Sequence, residues 1–194
     1  MSKGAETRTA ILDEAARLAS TIGFNALTVG TLAERTELSK SGLFAHFKSK
    51  EQLQLQTLEH AGVWFVDAVL RPALSTQRGE KRLRALFENW IGWASGALPG
   101  GCIYIAANIE FDDQPGPMRD LLVAHQRDWN DTITAVVATC ISEGDFRSDV
   151  EPAQFAFELQ ALMLGFHHAW RLLGDAQARQ RTETAFESLI THAR

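Results

Sequence analysis

From Ile11 to Ile190 the apolar residues return every three or four positions, and nowhere does the chain sustain the alternation in twos that a half-buried strand needs. That pattern confines the fold to packed helices. Ile11, Leu12, Ala15, Ala16, Ala19 and Ile22 mark one face of a first helix, expected over about Glu6 to Ile22, with Gly23 as its stop. Thr28 is placed to cap a short second helix, Val29 to Arg35, and Ser39 a third, Lys40 to Ala45. Ser49 with Gln52 three residues on has the form of a capping box; it opens a fourth helix that carries apolar positions to about Leu70 and is ended by Pro72.

The same signals place five more. The fifth follows Gly79 and stops before Pro99, and the sixth covers about Ile103 to Phe111. Gly116-Pro117 leads into a seventh, Met118 to Glu143, since proline suits a first helical turn. Glu151-Pro152 opens an eighth, closed by Gly174. Asp175 is expected to cap the ninth, whose stripe is Ala185, Phe186, Leu189 and Ile190. The expected class is all-α, with about nine helices and no internal repeat or heptad run.

Composition narrows the function. With 194 residues, 45% of them hydrophobic, the chain can bury a substantial core, which excludes disorder as its main state. Two cysteines, Cys102 and Cys140, are too few for a disulfide scaffold. Charges interrupt the first twenty residues, so no secretory leader is read there. The charge-free stretch Asn89–Ile109 is broken by Gly92, Gly96, Pro99, Gly100 and Gly101, and reads as the end of one buried helix, a turn and the start of another rather than a membrane span. A soluble, cytoplasmic protein without a membrane partner is expected.

The net charge of −5 argues against nucleic-acid binding by the whole surface, but the charge is unevenly spread. Residues 1–50 carry +2 and the remainder −7. The basic part holds two short helices separated by Thr36-Glu37-Leu38, the dimensions of a helix-turn-helix. The second of them begins Ser39-Lys40-Ser41-Gly42, bringing hydroxyls and an ammonium to a helix N-terminus, where phosphate oxygens are favoured. Leu43 and Phe47 would anchor it, and His46, Lys48 and Lys50 follow at once. An ordinary helical hairpin with a solvated polar face has the same dimensions, so spacing alone leaves both readings open.

Arg8, Ile11-Leu12, Ala15-Ala16, Gly23-Phe24, Leu27-Thr28-Val29, Leu32-Ala33-Glu34 and the unbroken run Ser39 to Leu53 resemble the N-terminal module of TetR-type transcriptional regulators. Two departures stand out. Glu37 occupies the position of the family's usual turn glycine, and Phe44 that of a frequent tyrosine, which shifts phosphate anchoring toward the neighbouring polar groups. The resemblance implies a homodimer whose two recognition helices enter successive major grooves of a near-palindromic double-stranded operator. Lys40, Ser41 and Phe44 would then face bases, with Thr28, Ser39, His46, Lys48 and Lys50 on phosphates. It also implies a DNA-binding domain at 1–50, an effector-binding and dimerisation domain at 51–194, and pairing of the eighth and ninth helices with their symmetry mates.

In such regulators the fourth to eighth helices surround an effector cavity. Here they carry Trp64, Phe65, Phe87, Trp90, Trp93, Phe111, Trp129, Phe166 and Trp170, with His125 and His167 one turn from a tryptophan. Aromatics at helical spacing also serve simply as core. Together with the two histidines they could orient a small, largely apolar effector. Asn108, Glu110 and Gln126 are weaker candidates of the same kind. Cys102 has no neighbouring histidine or second thiol and reads as a small hydrophobe. The adjacent pair His167-His168 points to different faces, and no metal or cofactor is expected. With no phosphate loop, nucleophile elbow or dinucleotide fingerprint, the expected function is a ligand-responsive transcriptional regulator, most simply a repressor, and not an enzyme. The competing class is an all-α enzyme or small-molecule carrier with an incidental hairpin.

Overall fold

The structure is a computed structural model that describes residues 3–36 and 39–194. The expectations that rest on Glu37 and Leu38 lie outside the described residues. Within them the chain forms nine helices and no strand: α1 (Lys3–Ile22), α2 (Val29–Arg35), α3 (Lys40–His46), α4 (Lys50–Phe65), α5 (Glu80–Gly92), α6 (Ile103–Phe111), α7 (Pro117–Ser142), α8 (Pro152–His167) and α9 (Ala178–Ala193). No helix among them is long and apolar enough to cross a membrane.

The helix starts follow local chemistry. Thr28 caps α2 by accepting from the Thr31 N–H (3.0 Å), while the Thr31 hydroxyl accepts from the Thr28 N–H (2.9 Å). Ser39 caps α3 through the Gly42 N–H (3.1 Å). At α4 the box is displaced by one residue: the Ser49 hydroxyl accepts from the Gln52 N–H (3.0 Å), but the Gln52 side-chain oxygen Oε1 accepts the N–H of Lys48 (2.8 Å). The start of α9 differs from the expectation. Asp175 accepts from the Gln177 N–H and forms a turn ahead of the helix, which begins at Ala178 behind Gln177, a residue with no capping bond.

The end of α4 departs further. Pro72 does not stop it. The helix widens into a π turn, Val66–Leu70, and continues through Arg71–Leu74. Proline lacks an N–H and crowds the carbonyl four residues back; bonding one residue further, as Arg71 N–H does to the Val66 carbonyl, accommodates both. Two more π turns follow, Trp93–Ala97 after α5 and His168–Leu172 after α8.

The described residues fall into two compact units. The first joins residues up to Trp64 with Leu98–Ala124. Its core takes Ile11, Ala15 and Ala19 of α1, Leu32 of α2, Leu43 of α3, Leu53 and Leu58 of α4 and Ile103 of α6, all buried. Each fully buried leucine contributes roughly 1.5–3 kcal/mol, so even the seven-residue α2 and α3, too short to hold alone, are held by packing.

The second unit comprises Phe65–Ala97 and His125–Arg194. Its core centres on Leu83, Leu86 and Phe87 of α5, Ile133 and Val137 of α7, Leu159 and Phe166 of α8 and Phe186 of α9. Phe87 stacks on Phe186 with centroids 4.0 Å apart. Glu80, at the start of α5, accepts from Arg84 and from Arg194, and Arg84 also pairs with Glu187 of α9. Burial pushes the Glu80 carboxyl up, but the guanidiniums of Arg194 and Arg84 outweigh it and hold it below its ordinary value. Glu80 therefore stays ionised at neutral pH, and this tie between α5 and the end of α9 weakens only as pH falls through the carboxylate range.

Candidate nucleic-acid interface and effector site

In α3 the sequence divides inside from outside residue by residue. Leu43 and the following Phe47 are fully buried, whereas Lys40, Ser41, Ala45 and Phe44 are exposed, Phe44 by 54%. At that exposure about half of the Phe44 side chain is open to meet a partner. The hydroxyls of Ser39 and Ser41 lie 3.1 Å apart and share a hydrogen bond, so one of their two protons remains for an outside acceptor. The Lys40 ammonium lies over the start of α2, 3.9 Å from where a side chain on Gly30 would begin.

The other expected phosphate contacts are arranged unevenly. Lys48 is exposed. Lys50 donates to the Asn25 carbonyl (2.6 Å), which uses one of its three ammonium protons to hold the α1–α2 turn. His46 is half-buried at the end of α3, its ring 6.3 Å from that of Phe47. The Thr28 hydroxyl accepts the Thr31 N–H of its capping box and lies 3.2 Å from the Thr31 hydroxyl.

The α1–α2 turn is itself gripped by a residue that sequence reasoning assigned elsewhere. Glu110, near the end of α6, accepts the N–H of Phe24 (3.0 Å) and of Asn25 (2.7 Å), one on each carboxylate oxygen. Gln54 of α4 donates to the Phe24 carbonyl (2.5 Å), and Phe111 sets its ring edge against Phe24. Gly23 makes room: its φ of +82° ends α1, and a side chain there would run into the Glu110 carboxylate. Glu110 thus positions the turn that leads into the helix-turn-helix. Glu110→Ala removes two charge-assisted bonds and leaves a partly buried N–H unmet, so we expect a loss of about 2–4 kcal/mol. A melting curve should show a fall of roughly 5–15 °C, with Glu110→Gln, which keeps one acceptor, near half of that.

The aromatic residues proposed for an effector divide between the two units. Phe65 sets its ring nearly perpendicular to both Trp93 (5.5 Å) and Trp129 (5.3 Å). Trp90 meets Phe166 edge-on (6.2 Å), and Phe166 stacks on Trp170 (6.1 Å). Those six rings belong to the second unit, as do His167 and the half-buried His125 and Gln126. Phe87 is taken up by its stack on Phe186. Trp64, beside His60 (4.9 Å), and Phe111, on Phe24, lie in the first unit, as does the half-buried Asn108. Cys102 and Cys140 are buried, and burial followed by the Asp145 and Glu80 charges pushes the Cys140 thiol up to about 12, far from reactivity at neutral pH.

One surface of the second unit is apolar without being covered. Phe157 and Leu164 of α8 are 67% and 53% exposed, and with exposed Ala161 and His168 they follow the i, i+4, i+7, i+11 spacing of a single helical stripe.

Residues 11–57 match the family model described as bacterial regulatory proteins, tetR family, and residues 79–186 match that described as tetracyclin repressor-like, C-terminal domain. Among solved structures, the chain is similar to a TetR transcriptional regulator from Chloroflexus aurantiacus, with 28% identity, a TM-score of 0.87, and 99% of this chain and 96% of that one covered. A putative transcriptional regulator from Saccharomonospora viridis in complex with choline shares the fold at 24% identity and a TM-score of 0.80, covering 94% and 96%. AibR in complex with isovaleryl coenzyme A and operator DNA does so at 23% identity and a TM-score of 0.74, covering 91% and 95%. No curated protein matches the chain.

Proposed function

Because the chain belongs to the TetR family of DNA-binding transcriptional regulators, we propose that it is a homodimeric repressor released from a near-palindromic operator by a small, largely apolar effector. Residues 1–50 read the DNA, and residues 51–194 dimerise and sense the effector. The observation that carries the DNA side is α3: Leu43 and Phe47 inward, Lys40, Ser41 and Phe44 outward, with the cap at Ser39 intact. Lys40, Ser41 and Phe44 address base edges; Thr28, Ser39, His46, Lys48 and Lys50 address phosphates. The uncovered stripe on α8 supports dimerisation, since a self-complementary apolar patch about a twofold axis buries itself. The structures with choline and with isovaleryl coenzyme A plus operator DNA support the pairing of ligand binding with DNA binding in this fold.

The effector acts only through unequal affinity for two states. A swing from mostly bound to mostly free needs about 5 kcal/mol of difference. In this proposal the effector displaces α4, the helix that starts at Lys50, and so changes the separation of the two recognition helices.

Selection of bound fragments from genomic DNA tests the proposal and supplies the operator. Duplex binding should weaken steeply with salt, and Lys40→Ala with Lys48→Ala should weaken it further and flatten the slope of log K against log salt by about 0.9, the share of the one phosphate contact made by Lys48. No enriched fragment, or an unchanged slope in the double variant, would overturn it. In a promoter reporter, deletion of the regulator should raise expression; a fall would instead assign activation.

A further inference from the structure

Two buried polar atoms stand out at the aromatic cluster of the second unit. The Trp93 side chain is 3% exposed and its one polar atom, the indole Nε1, has no hydrogen-bond partner. The Nε2 of His167 is in the same position. Leaving a buried donor unmet costs about 1–3 kcal/mol, and indole N–H groups in protein interiors normally find an acceptor. Arg82 and Thr134 also hold an unpartnered atom, but the Arg82 guanidinium still donates to the Thr76 carbonyl, whereas Trp93 has no second polar atom to use.

These two residues sit where the helices are widened. Trp93 begins one π turn and His167 immediately precedes another. The rings tie the widened turns together. Phe65, which precedes the first π turn, is perpendicular to Trp93; Trp90, one helical turn before Trp93, meets Phe166, which stacks on Trp170 within the third. A further link is the Asn89 side-chain amide, which donates to the Val69 carbonyl inside the first π turn (3.1 Å). Single π turns inserted in α-helices recur at functional sites. Here three of them are linked through these rings and the Asn89 bond, with the two unmet polar atoms on residues that begin or adjoin the second and third.

Resting on the effector reading above, we propose that the ligand is an uncharged, mainly aromatic molecule that places a carbonyl or hydroxyl oxygen on the Trp93 indole N–H, with the His167 imidazole as its second polar contact. A buried charge on the ligand would need a buried opposite charge to pair with. The atoms that await a partner are an indole N–H and an imidazole nitrogen. Burial first, and then the nearby Arg171 and His168, lower the affinity of His167 for a proton, so the ring is neutral at neutral pH and can donate or accept.

Acetophenone and ethylbenzene differ in one carbonyl oxygen, and calorimetric titration of the full-length protein compares them. Acetophenone should bind about tenfold more tightly, the yield of one good hydrogen bond. Trp93→Phe should bring the two within about twofold, because acetophenone loses the hydrogen bond that ethylbenzene never makes. A measurement that needs no variant is the indole N–H spectrum of ¹⁵N-labelled protein. Of the five tryptophan signals, one should shift strongly with acetophenone and hold still with ethylbenzene. A preference that survives Trp93→Phe, tightest binding by benzyltrimethylammonium or benzoate, or no binding by any probe would overturn the anchor. Operator release is read separately by fluorescence anisotropy. Trp93-dependent binding with no release keeps the anchor and sinks the effector reading, and release independent of Trp93 does the reverse.

Discussion

Phe157→Asp together with Leu164→Asp should leave the protein folded but monomeric, and operator binding should weaken by about 100- to 10,000-fold. Both side chains are already exposed, so the substitutions remove nothing from the core of the second unit and should spare the helical circular dichroism spectrum. In the proposed dimer they remove the apolar stripe on which two copies close, and two carboxylates near the twofold axis would face their own images. The size of the DNA effect follows from linkage. Each head alone binds one half-site, and joining two heads turns the second contact into an intramolecular one, worth two to four powers of ten without any new interaction. Sedimentation at micromolar concentration and anisotropy on the selected duplex measure the two halves of this expectation. A variant that still sediments as a dimer places the interface elsewhere; a monomer that keeps full affinity contradicts the two-headed mode of binding.

Gly100→Ala is expected to destabilise the fold by about 3–5 kcal/mol, a fall of roughly 8–15 °C in melting temperature for a chain of this size. Gly100 is buried against the end of α1, and its N–H donates to the Ser20 hydroxyl (3.1 Å). A methyl group there would overlap the Ser20 carbonyl oxygen, a backbone atom that cannot swing aside like the end of a flexible side chain. Forced separation costs about 1–3 kcal/mol as overpacking, with a further contribution if the buried hydrogen bond breaks. Gly96→Ala, where a side chain would meet nothing within 4 Å, serves as the control and should change stability little. Equal melting temperatures for the two variants would show that this close approach is not a constraint on the fold.

These expectations differ in how far they could be read along the chain. Thr28 and Ser39 were legible as caps because a cap satisfies backbone groups two or three residues away, and both caps form as the residue order suggests. The inward pair Leu43 and Phe47 and the outward Lys40 and Phe44 follow from helical periodicity in the same way. Pro72 misled, since a proline signal predicts a stop, while the packed helix could absorb the missing bond by widening. Glu110 was read as a weak ligand candidate because a lone carboxylate on a helix carries no mark of its partner. That partner is a pair of backbone N–H groups more than eighty residues earlier.

By itself, then, the sequence determined the helical class, most helix bounds and the basic, amphipathic reading head, all properties written within about one or two helical turns. Its spread of charge, with +2 in the first fifty residues against −7 in the rest, marked where the basic residues concentrate. Only the tertiary structure decided which aromatic rings meet, that Trp93 and His167 keep unmet polar atoms, and that Glu110 and Gly100 close on α1 and the turn after it. Those contacts join residues some 80 positions apart. Their partners are chosen by how helices pack, and periodicity along one helix records which face is buried but not what it is buried against.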